Sequence, residues 1–205
     1  MTDILSLLDQ LRAIALEGVH YSNNPHDTDR YTRLLTLSAS HLGTAFDYDQ
    51  ESLKTLFANC IGVTTPRCGA DAAIKNQNNQ LLVLRRADDN SWCLPCGWVH
   101  LDENFAEAAA REVLEETGLV VKPQGYISIT KKGPADQSHL LHQINGLVLM
   151  HPITIEQSIK ISEEHTEFQW ISAVSDIADW HFGHQQQALR SLNVTQALLL
   201  PCDDF

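Results

Sequence analysis

Residues 97–119 read GWVHLDENFAEAAAREVLEETGL and are the most informative stretch of this 205-residue chain. Gly97 is followed after five residues by Glu103, and after seven more by the run REVLEETGL at residues 111–119. The stretch therefore matches the pattern Gx5Ex7REUxEExGU, where U is an aliphatic residue, at every position. Because so many fixed identities at fixed offsets rarely coincide by chance, the pattern indicates one specific fold and chemistry.

The second half of this stretch predicts a helix over Phe105–Thr117. Alanines, leucine and glutamates are strong helix formers, and neither proline nor glycine interrupts them. Asp102 or Asn104 can act as the N-cap, and Asn104 stands three residues before Glu107, which is the spacing of a capping box. Gly118 stands just past the predicted end, where a left-handed residue commonly closes a helix.

Three glutamates of the predicted helix project towards one side. Glu112, Glu115 and Glu116 are spaced i,i+3 and i,i+4, which brings their side chains to a common face. Clustered like charges destabilise a helix unless a cation lies among them, and Mg²⁺ takes carboxylate and phosphate oxygens as ligands. Arg111 can pair with Glu103 or Glu115 and fix their orientation. The residues alone leave two interpretations open, a divalent metal site and a solvated acidic face.

The complete pattern resembles the Nudix box, the signature of a superfamily of metal-dependent pyrophosphohydrolases. The resemblance covers about residues 67–195 and implies an α/β/α sandwich with a mixed sheet, in which the box forms a loop–helix–loop. It also implies that Mg²⁺ or Mn²⁺ is bound by Glu112, Glu115 and Glu116, together with a backbone carbonyl of Cys96 or Gly97.

The resemblance implies further roles inside and after the box. Arg111 is expected to orient the glutamates, and Glu103 is expected to lie just outside the metal ligands. The family draws its general base from different places, often from a glutamate on a loop well after the box. The segment 162–170 offers such glutamates, with Glu164 as the first choice and Glu167 as the second. The alternative for either residue is an exposed loop acid without a catalytic role.

Several residues around the box are candidates for substrate binding. Two arginines that end a predicted strand can contact phosphate, and a tryptophan beside the box glycine can stack on a base. Histidines between two predicted strands can also touch the substrate. The alternatives are a solvated strand end, a core aromatic residue and ordinary surface histidines. The candidates are Arg85, Arg86, Gly97, Trp98, His142 and His139.

The charge and the N-terminal sequence limit the classes of partner. A formal net charge of −12 argues against nucleic acid, because nucleic-acid-binding domains usually carry a basic face. No apolar run approaches the roughly 18 residues of a membrane span. The N-terminus MTDILSLLDQLRAIALEG carries acidic residues and lacks the basic start and cleavage site of a signal peptide. We therefore expect a cytoplasmic protein that acts on a small anionic molecule.

The five cysteines, at positions 60, 68, 93, 96 and 202, form no even disulfide framework. Trp92–Cys96 reads WCLPC, which mimics the motif that opens a helix in thioredoxin-like redox proteins. Here a loop follows the motif, so we expect no redox role, and no second pair has the spacing of a zinc site. Many Nudix proteins have glycine in place of Cys96, so its side chain is expected to affect the loop that approaches the metal.

The first sixty-odd residues predict a small all-helical domain, residues 1–64, ahead of a Nudix domain at residues 67–205. Asn24 as N-cap and Pro25 as first residue open a second helix, and a third begins near Asp49. Three helices make a marginal core, so their spare apolar surface is expected to pack on the Nudix domain or on a second subunit. The apolar face of the first helix is formed by Ile4, Leu7, Leu8, Leu11, Ile14 and Ala15.

From Arg67 onwards, strand-like and helix-like patterns are mixed, which is typical of a layered α/β domain. A polar turn at residues 75–79 separates the first two predicted strands, and a last helix is predicted at His184–Leu192. The predicted strands are residues 68–74, 80–85, 126–131, 143–150 and 167–171.

The helical N-terminus narrows the choice of enzyme. The run LRAIALEGVHYS at residues 11–22, followed by Asp29-Arg30-Tyr31, resembles the N-terminal domain of one bacterial Nudix subgroup. That subgroup includes CDP-choline pyrophosphatases and proteins labelled ADP-ribose pyrophosphatases. The resemblance implies a homodimer that splits a nucleoside diphosphate linked to a group X into a nucleoside monophosphate and phosphorylated X. A nucleotide-sensing regulator is the alternative, but it would have a degraded box and a basic winged-helix segment.

Overall fold

The structure is a computed structural model that describes residues 4–58, 65–133, 141–153 and 158–194. Two compact units form: residues 1–67 with 132–143, and residues 68–131 with 144–205. The chain passes from the first unit to the second between Arg67 and Cys68, and the segment 132–143 groups with the N-terminal helices. Contacts between His142 and the carboxylate of Asp9 account for this grouping. Cys60, Thr64, His139 and Cys202 lie outside the described residues.

The first unit contains the three predicted helices, α1 (Ile4–Tyr21), α2 (Pro25–Phe46) and α3 (Gln50–Ala58). The Asn24 side chain caps α2 by accepting the Asp27 N–H at 2.8 Å, and Pro25 is the first residue of the helix, as predicted. Asp47 ends α2 in the left-handed region, with φ at 54°. The buried core of the unit consists of Ala39, Leu42, Leu53 and Phe57.

The buried face of α1 differs from the predicted one. Asp9 and Arg12 form a buried ion pair at 2.6 Å, and the guanidinium of Arg12 lies 5.1 Å from the centroid of the Phe57 ring. Polar residues thus occupy positions next to the core, whereas three residues of the predicted apolar face are exposed: Ile4, Leu7 and Ile14. Within the described part of the chain, no helix is long and apolar enough to cross a membrane.

Among its described residues, the second unit contains seven strands in two sheets. One sheet has the order β4-β1-β6-β5 and the other the order β3-β2-β7. All five predicted strands are present, but β5 begins earlier than predicted, and the short strands β3 and β4 were not predicted. The strands are β1 (Arg67–Ile74), β2 (Leu81–Arg86), β3 (Trp92–Cys93), β4 (Cys96–Trp98), β5 (Val121–Lys132), β6 (Gln143–Pro152) and β7 (His165–Ile171).

Successive residues of the central strands enter two separate cores. In β2, Leu82 and Leu84 pack in one core, while Leu81 and Val83 pack in the other. The first core is completed by α4 (Phe105–Thr117) and the second by α5 (His184–Asn193). Helices therefore cover both faces of the strands, which confirms the predicted α/β/α sandwich.

Candidate active site

The box helix α4 begins and ends where the sequence predicts. Asn104 accepts the Glu107 N–H at 3.0 Å, and the Glu107 carboxylate accepts the Asn104 N–H at 2.7 Å. This closes a capping box and identifies Asn104, rather than Asp102, as the N-cap. Gly118 closes the helix in the left-handed region, with φ at 70° and its N–H bonded to the Leu114 carbonyl.

Packing of α4 on the sheet sets the direction of its glutamates. The face that enters the first core is formed by alanines and a valine: Ala106, Ala108, Ala109 and Val113. Glu116 lies at the margin of this face and is 5% exposed, while the side chains of Glu112 and Glu115 are 14% and 58% exposed. The three predicted glutamates thus occupy one flank of the helix, graded from buried to exposed.

The guanidinium of Arg111 makes five hydrogen bonds, one for each of its N–H groups. Two go to Glu103 at 2.7 and 3.0 Å, one to Glu112 at 2.7 Å and one to Glu115 at 3.1 Å. The fifth goes to the Trp98 carbonyl at 2.8 Å. The predicted pairing with Glu103 and Glu115 is confirmed, and Glu112 is an additional partner. The bonds from Arg111 lower the pKa of Glu103 to about 2.

The Glu112 carboxylate lies so close to Gly97 that there is no room for a side chain at position 97. A Cβ added to Gly97 would lie 1.9 Å from Oε1 of Glu112. The first glycine of the box is therefore required for the approach of the Glu112 carboxylate to the backbone of β4.

Glu116 is held at the same short strand. Its Oε2 accepts the Cys96 N–H at 3.2 Å. Burial, and after it the neighbouring charges of Cys96 and Glu112, raise the pKa of Glu116 to about 10. Burial also raises the pKa of Glu112, against the opposing effect of Arg111. Two carboxylates thus lie against residues 96–97 in an environment that disfavours their negative charge.

This environment fits a divalent cation by charge and by donor type. A bound cation favours the ionised form of nearby carboxylates, and Mg²⁺ and Mn²⁺ prefer oxygen ligands. Among the described residues, Glu112, Glu115 and Glu116 do not bring one oxygen each to within 4.8 Å of the other two. Arg111 bonds to Glu112 and Glu115, while the Cys96 N–H bonds to Glu116.

A compact cluster of a different kind lies on the other side of β4. Ligand atoms of Asp71, Cys96 and His184 are all within 4.8 Å of one another, and Asp71 and Cys96 are cross-strand partners. The Leu94 N–H donates to Nδ1 of His184 at 3.1 Å, so the proton of the neutral ring is on Nε2. Neither ring nitrogen then offers a lone pair to a metal unless this bond is broken. The cluster fits a hydrogen-bonded support for β4 better than a metal site.

The two candidate bases occupy different surroundings. The Glu164 carbonyl accepts the Ala87 N–H at 2.8 Å, and after burial the charge of Glu164 contributes to the raised pKa values of Glu112 and Glu116. Glu167 instead pairs with Arg85 across β2 and β7 at 2.7 Å. The charge of Glu164 thus acts on both box glutamates, whereas Glu167 is paired with Arg85.

The two candidate arginines are both engaged with protein carboxylates. Arg86 donates from Nε and Nη2 to the two oxygens of Asp88, at 2.9 and 2.5 Å, and this pairing raises its pKa. Arg85 bonds to Glu167 and to the Asn90 carbonyl at 3.1 Å. A phosphate contact by either arginine remains a prediction and would compete with these partners.

The two remaining candidates lie in different units. The backbone carbonyl of Trp98 accepts a hydrogen bond from Arg111. The residue is 48% exposed, so its indole ring is accessible for stacking. His142 belongs to the first unit, where its backbone N–H bonds to Asp9 at 3.2 Å and its Nε2 lies 3.4 Å from the Ser6 hydroxyl. These bonds give His142 a structural role in the first unit, which is the alternative to its predicted contact with the substrate.

Sequence reasoning did not identify two buried histidines near the site. His165 begins β7, with Nε2 3.9 Å from Oε1 of Glu116, and burial lowers its pKa. His184 begins α5 and belongs to the cluster with Asp71 and Cys96. In the sequence, His165 could be noticed only because it follows Glu164 directly. Its burial results from its place as the first residue of β7.

The WCLPC segment does not have the geometry of a redox motif. Cys93 is in β3 and Cys96 is in β4, which belong to different sheets, and α4 begins only at Phe105. Cys93 is buried, and its thiol points to the Leu84 carbonyl at 3.7 Å. The expectation that this motif does not open a helix is confirmed.

Gly97→Ala should fold normally but bind Mn²⁺ about tenfold or more weakly, because the new Cβ displaces the Glu112 carboxylate. Titration followed by electron paramagnetic resonance measures the affinity, and thermal unfolding checks the fold. Leu101→Ala, at a fully exposed position of the same loop, is the control. An unchanged Mn²⁺ affinity in the Gly97 variant would show that this contact does not matter for metal binding.

Two family models match the chain. The model described as NUDIX domain matches residues 65–187. The model described as UDP-X-like, N-terminal oligomerisation domain matches residues 2–57. The two matched ranges do not overlap and are separated by residues 58–64.

Curated relatives match part of the chain. YjhB of Bacillus subtilis (strain 168), provisionally named an ADP-ribose pyrophosphatase, is 30% identical over 128 residues, which are 62% of this chain and 61% of that protein. A second protein of the same strain, provisionally named an 8-oxo-dGTP diphosphatase, is 31% identical over 105 residues, or 51% and 65% of the two chains. The chain thus spans a little under two thirds of the length of these relatives.

Solved structures show the same fold at lower identity. A crystal structure of UDP-X diphosphatase has a TM-score of 0.56 and 20% identity and covers 92% of each chain. An ADP-ribose pyrophosphatase from Streptococcus suis 89-1591 has a TM-score of 0.51 and 21% identity, over 62% of this chain and 90% of that one. Because the NUDIX model matches more than half of the chain and the box is complete, the chain belongs to the Nudix family, whose members generally use divalent metal ions.

Proposed function

We propose that this chain uses Mg²⁺ or Mn²⁺ to hydrolyse the pyrophosphate of a nucleoside diphosphate linked to a group X. The products are a nucleoside monophosphate and phosphorylated X. The observation that carries the proposal is the meeting of two box carboxylates, Glu112 and Glu116, at the backbone of Cys96 and Gly97, within reach of the charge of Glu164.

The metal is held by Glu112, Glu115 and Glu116, with help from the backbone carbonyl of Cys96 or Gly97. A divalent cation supplies positive charge to the phosphoanhydride and lowers the pKa of the attacking water. Arg111 fixes the glutamates, since it contacts both Glu112 and Glu115. Glu103 is the outer partner that holds Arg111 through two bonds.

Glu164 is the general base in this proposal. A general base must lie beside the metal ligands, where the attacking water is activated. Its charge affects both Glu112 and Glu116, and its main chain is fixed by the bond from Ala87. Glu167 is less suited, because Arg85 neutralises it at 2.7 Å.

The substrate class is supported by the N-terminal family model and by the names of the relatives. The N-terminal family model is described as UDP-X-like, and relatives are named for ADP-ribose, so a nucleoside diphosphate linked to X is the common chemistry. CDP-choline and ADP-ribose are the first candidates. The exposed ring of Trp98 can stack on the base, and Arg86, if released from Asp88, can contact phosphate.

A nucleotide-sensing regulator without hydrolysis is the second candidate function. It needs nucleotide binding but not a competent metal site. All five N–H groups of Arg111 bond to residues of the box, so the glutamates are held in an ordered arrangement. This order favours a catalytic metal site over binding alone.

We further infer a homodimer that forms through α1. Ile4, Leu7 and Ile14 lie on one side of the helix and are 61%, 41% and 55% exposed, while the opposite side enters the core of the first unit. Contiguous exposed apolar surface marks protein contact sites. The description of the N-terminal family model as an oligomerisation domain points the same way.

Glu116→Gln should lower kcat by several orders of magnitude, because the variant loses a buried metal ligand. Glu164→Gln should lower kcat by about a hundredfold or more with little change in KM, while Glu167→Gln, its control, should remain within about threefold of wild type. Steady-state assays at saturating metal distinguish these outcomes. Equal mild effects of the two loop variants would place the base elsewhere, and near-normal turnover by Glu116→Gln would show that Glu116 is not a required metal ligand.

Among possible substrates, CDP-choline or ADP-ribose should be cleaved at least about tenfold more efficiently than nucleoside triphosphates and dinucleotides. A UDP-sugar belongs in the same panel because of the UDP-X relatives. Chromatography should identify the nucleoside monophosphate and phosphorylated X, and chelation of the metal should abolish both. Tight binding of a conjugate with no product would favour the nucleotide-sensing regulator.

Leu7→Asp and Ile14→Asp should convert a dimer into a monomer, because each buries a charge in the inferred interface. Light scattering coupled to size-exclusion chromatography gives the mass directly. His41→Asp, at an exposed position of α2, is the matched control and should remain dimeric. A monomeric wild-type chain would refute the inferred dimer.

A further inference from the structure

His165 lies between the buried metal-ligand candidate Glu116 and the loop that carries Glu164. Its side chain is 3% exposed, and its Nε2 is 3.9 Å from Oε1 of Glu116. The same nitrogen is 3.9 Å from the Cys93 thiol, and Nδ1 is 3.5 Å from the Ser162 hydroxyl. The ring is thus enclosed by groups that belong to the site or support it.

The two oxygens of Glu116 have different neighbours. Oε2 accepts the Cys96 N–H at 3.2 Å, whereas Oε1 faces the imidazole of His165. One backbone hydrogen bond leaves a carboxylate free to turn about its last torsion, which has no sharp staggered minima. On the other side, Nε2 of His165 lies 3.9 Å from Oε1, beyond a direct hydrogen bond but close enough for this polar edge of the buried ring to limit that rotation.

The loop before His165 is attached to the same end of the box helix. The Ser162 N–H bonds to the Glu116 carbonyl at 3.0 Å, and the His165 N–H bonds to the Ser162 carbonyl at 3.2 Å. Glu164 and His165 are adjacent in the chain, but one is exposed and the other is buried. The exposed residue is therefore available to the substrate side, while the buried one faces Glu116.

We propose that His165 is a positioning residue that sets the orientation of the Glu116 carboxylate for metal binding and ties the base loop to that carboxylate. The inference rests on the proposed metal-dependent hydrolysis. Partners that lie behind metal ligands orient them, and their loss typically weakens metal affinity or activity by about tenfold to a hundredfold. His165 contacts Glu116 rather than the reacting atoms, so its effect passes through the ligand.

His165→Leu removes both ring nitrogens, and His165→Gln restores an amide nitrogen at the place of Nε2. We expect the Leu variant to bind Mn²⁺ about tenfold to a hundredfold more weakly, and the Gln variant to remain within about threefold of wild type. Titration of the full-length chain by electron paramagnetic resonance gives the affinity without any substrate. His151→Leu, at an exposed histidine of β6, is the matched control.

Kinetics at saturating Mg²⁺ add a second readout. The Leu variant should lose kcat, while KM for the nucleotide conjugate stays within about twofold, because the substrate contacts are unchanged. If His165→Leu does not fold, His165→Asn takes its place, since its amide reaches only the position of Nδ1. The Asn variant should then lose Mn²⁺ affinity where the Gln variant keeps it.

Unchanged Mn²⁺ affinity in the Leu or Asn variant, or an equal loss in the Gln variant, overturns the positioning role. These outcomes are separable from failure of the proposed function. The wild-type chain could hydrolyse no conjugate while Mn²⁺ affinity still falls in the Leu variant and is kept in the Gln variant. In that case the positioning role stands and the proposed hydrolysis is wrong.

Discussion

The geometry of the box depends on the guanidinium of Arg111. Its planar fork donates in fixed directions, and it bonds to Trp98 at the end of β4, to Glu103 in the loop before α4 and to Glu112 on the helix itself. The Trp98 carbonyl is one residue from Gly97, so the same guanidinium sets the backbone against which the Glu112 carboxylate lies. A lysine could not replace these bonds, because a single ammonium cannot reach the loop and the helix in fixed directions.

Glu116 shows the cost of this arrangement. A carboxylate that is almost fully buried, with one backbone N–H as its hydrogen-bond donor, destabilises its own charged form. Its burial nevertheless follows from its place beside the apolar face of α4 that packs on the sheet. Native proteins keep such unfavourable groups mainly at functional sites, where a ligand supplies the missing interaction. The stability of this corner and its affinity for a cation therefore oppose each other.

The sequence predicts what is local and misses what depends on distant partners. The bounds and the C-cap of α4 agree with the prediction, and its N-cap is one of the two predicted residues, because Asn104, Glu107 and Gly118 act within one turn of the helix ends. Strands β3 and β4, of two and three residues, are too short to show periodicity. The buried face of α1 could not be predicted, since the Asp9–Arg12 pair is buried only with Phe57 and His142 beside it.

The same distinction holds within the candidate site. The spacing of the box supplies Glu112 and Glu116, whereas the choice between Glu164 and Glu167 depends on pairing across β2 and β7, which brings Arg85 to one of them. The Glu164 loop bonds to Ala87 on one side and, through Ser162, to the end of α4 on the other. The box helix and the candidate base therefore share one set of backbone hydrogen bonds. Under the proposed function, substrate selectivity can then change in other loops without disturbing the spacing between Glu164 and the box glutamates.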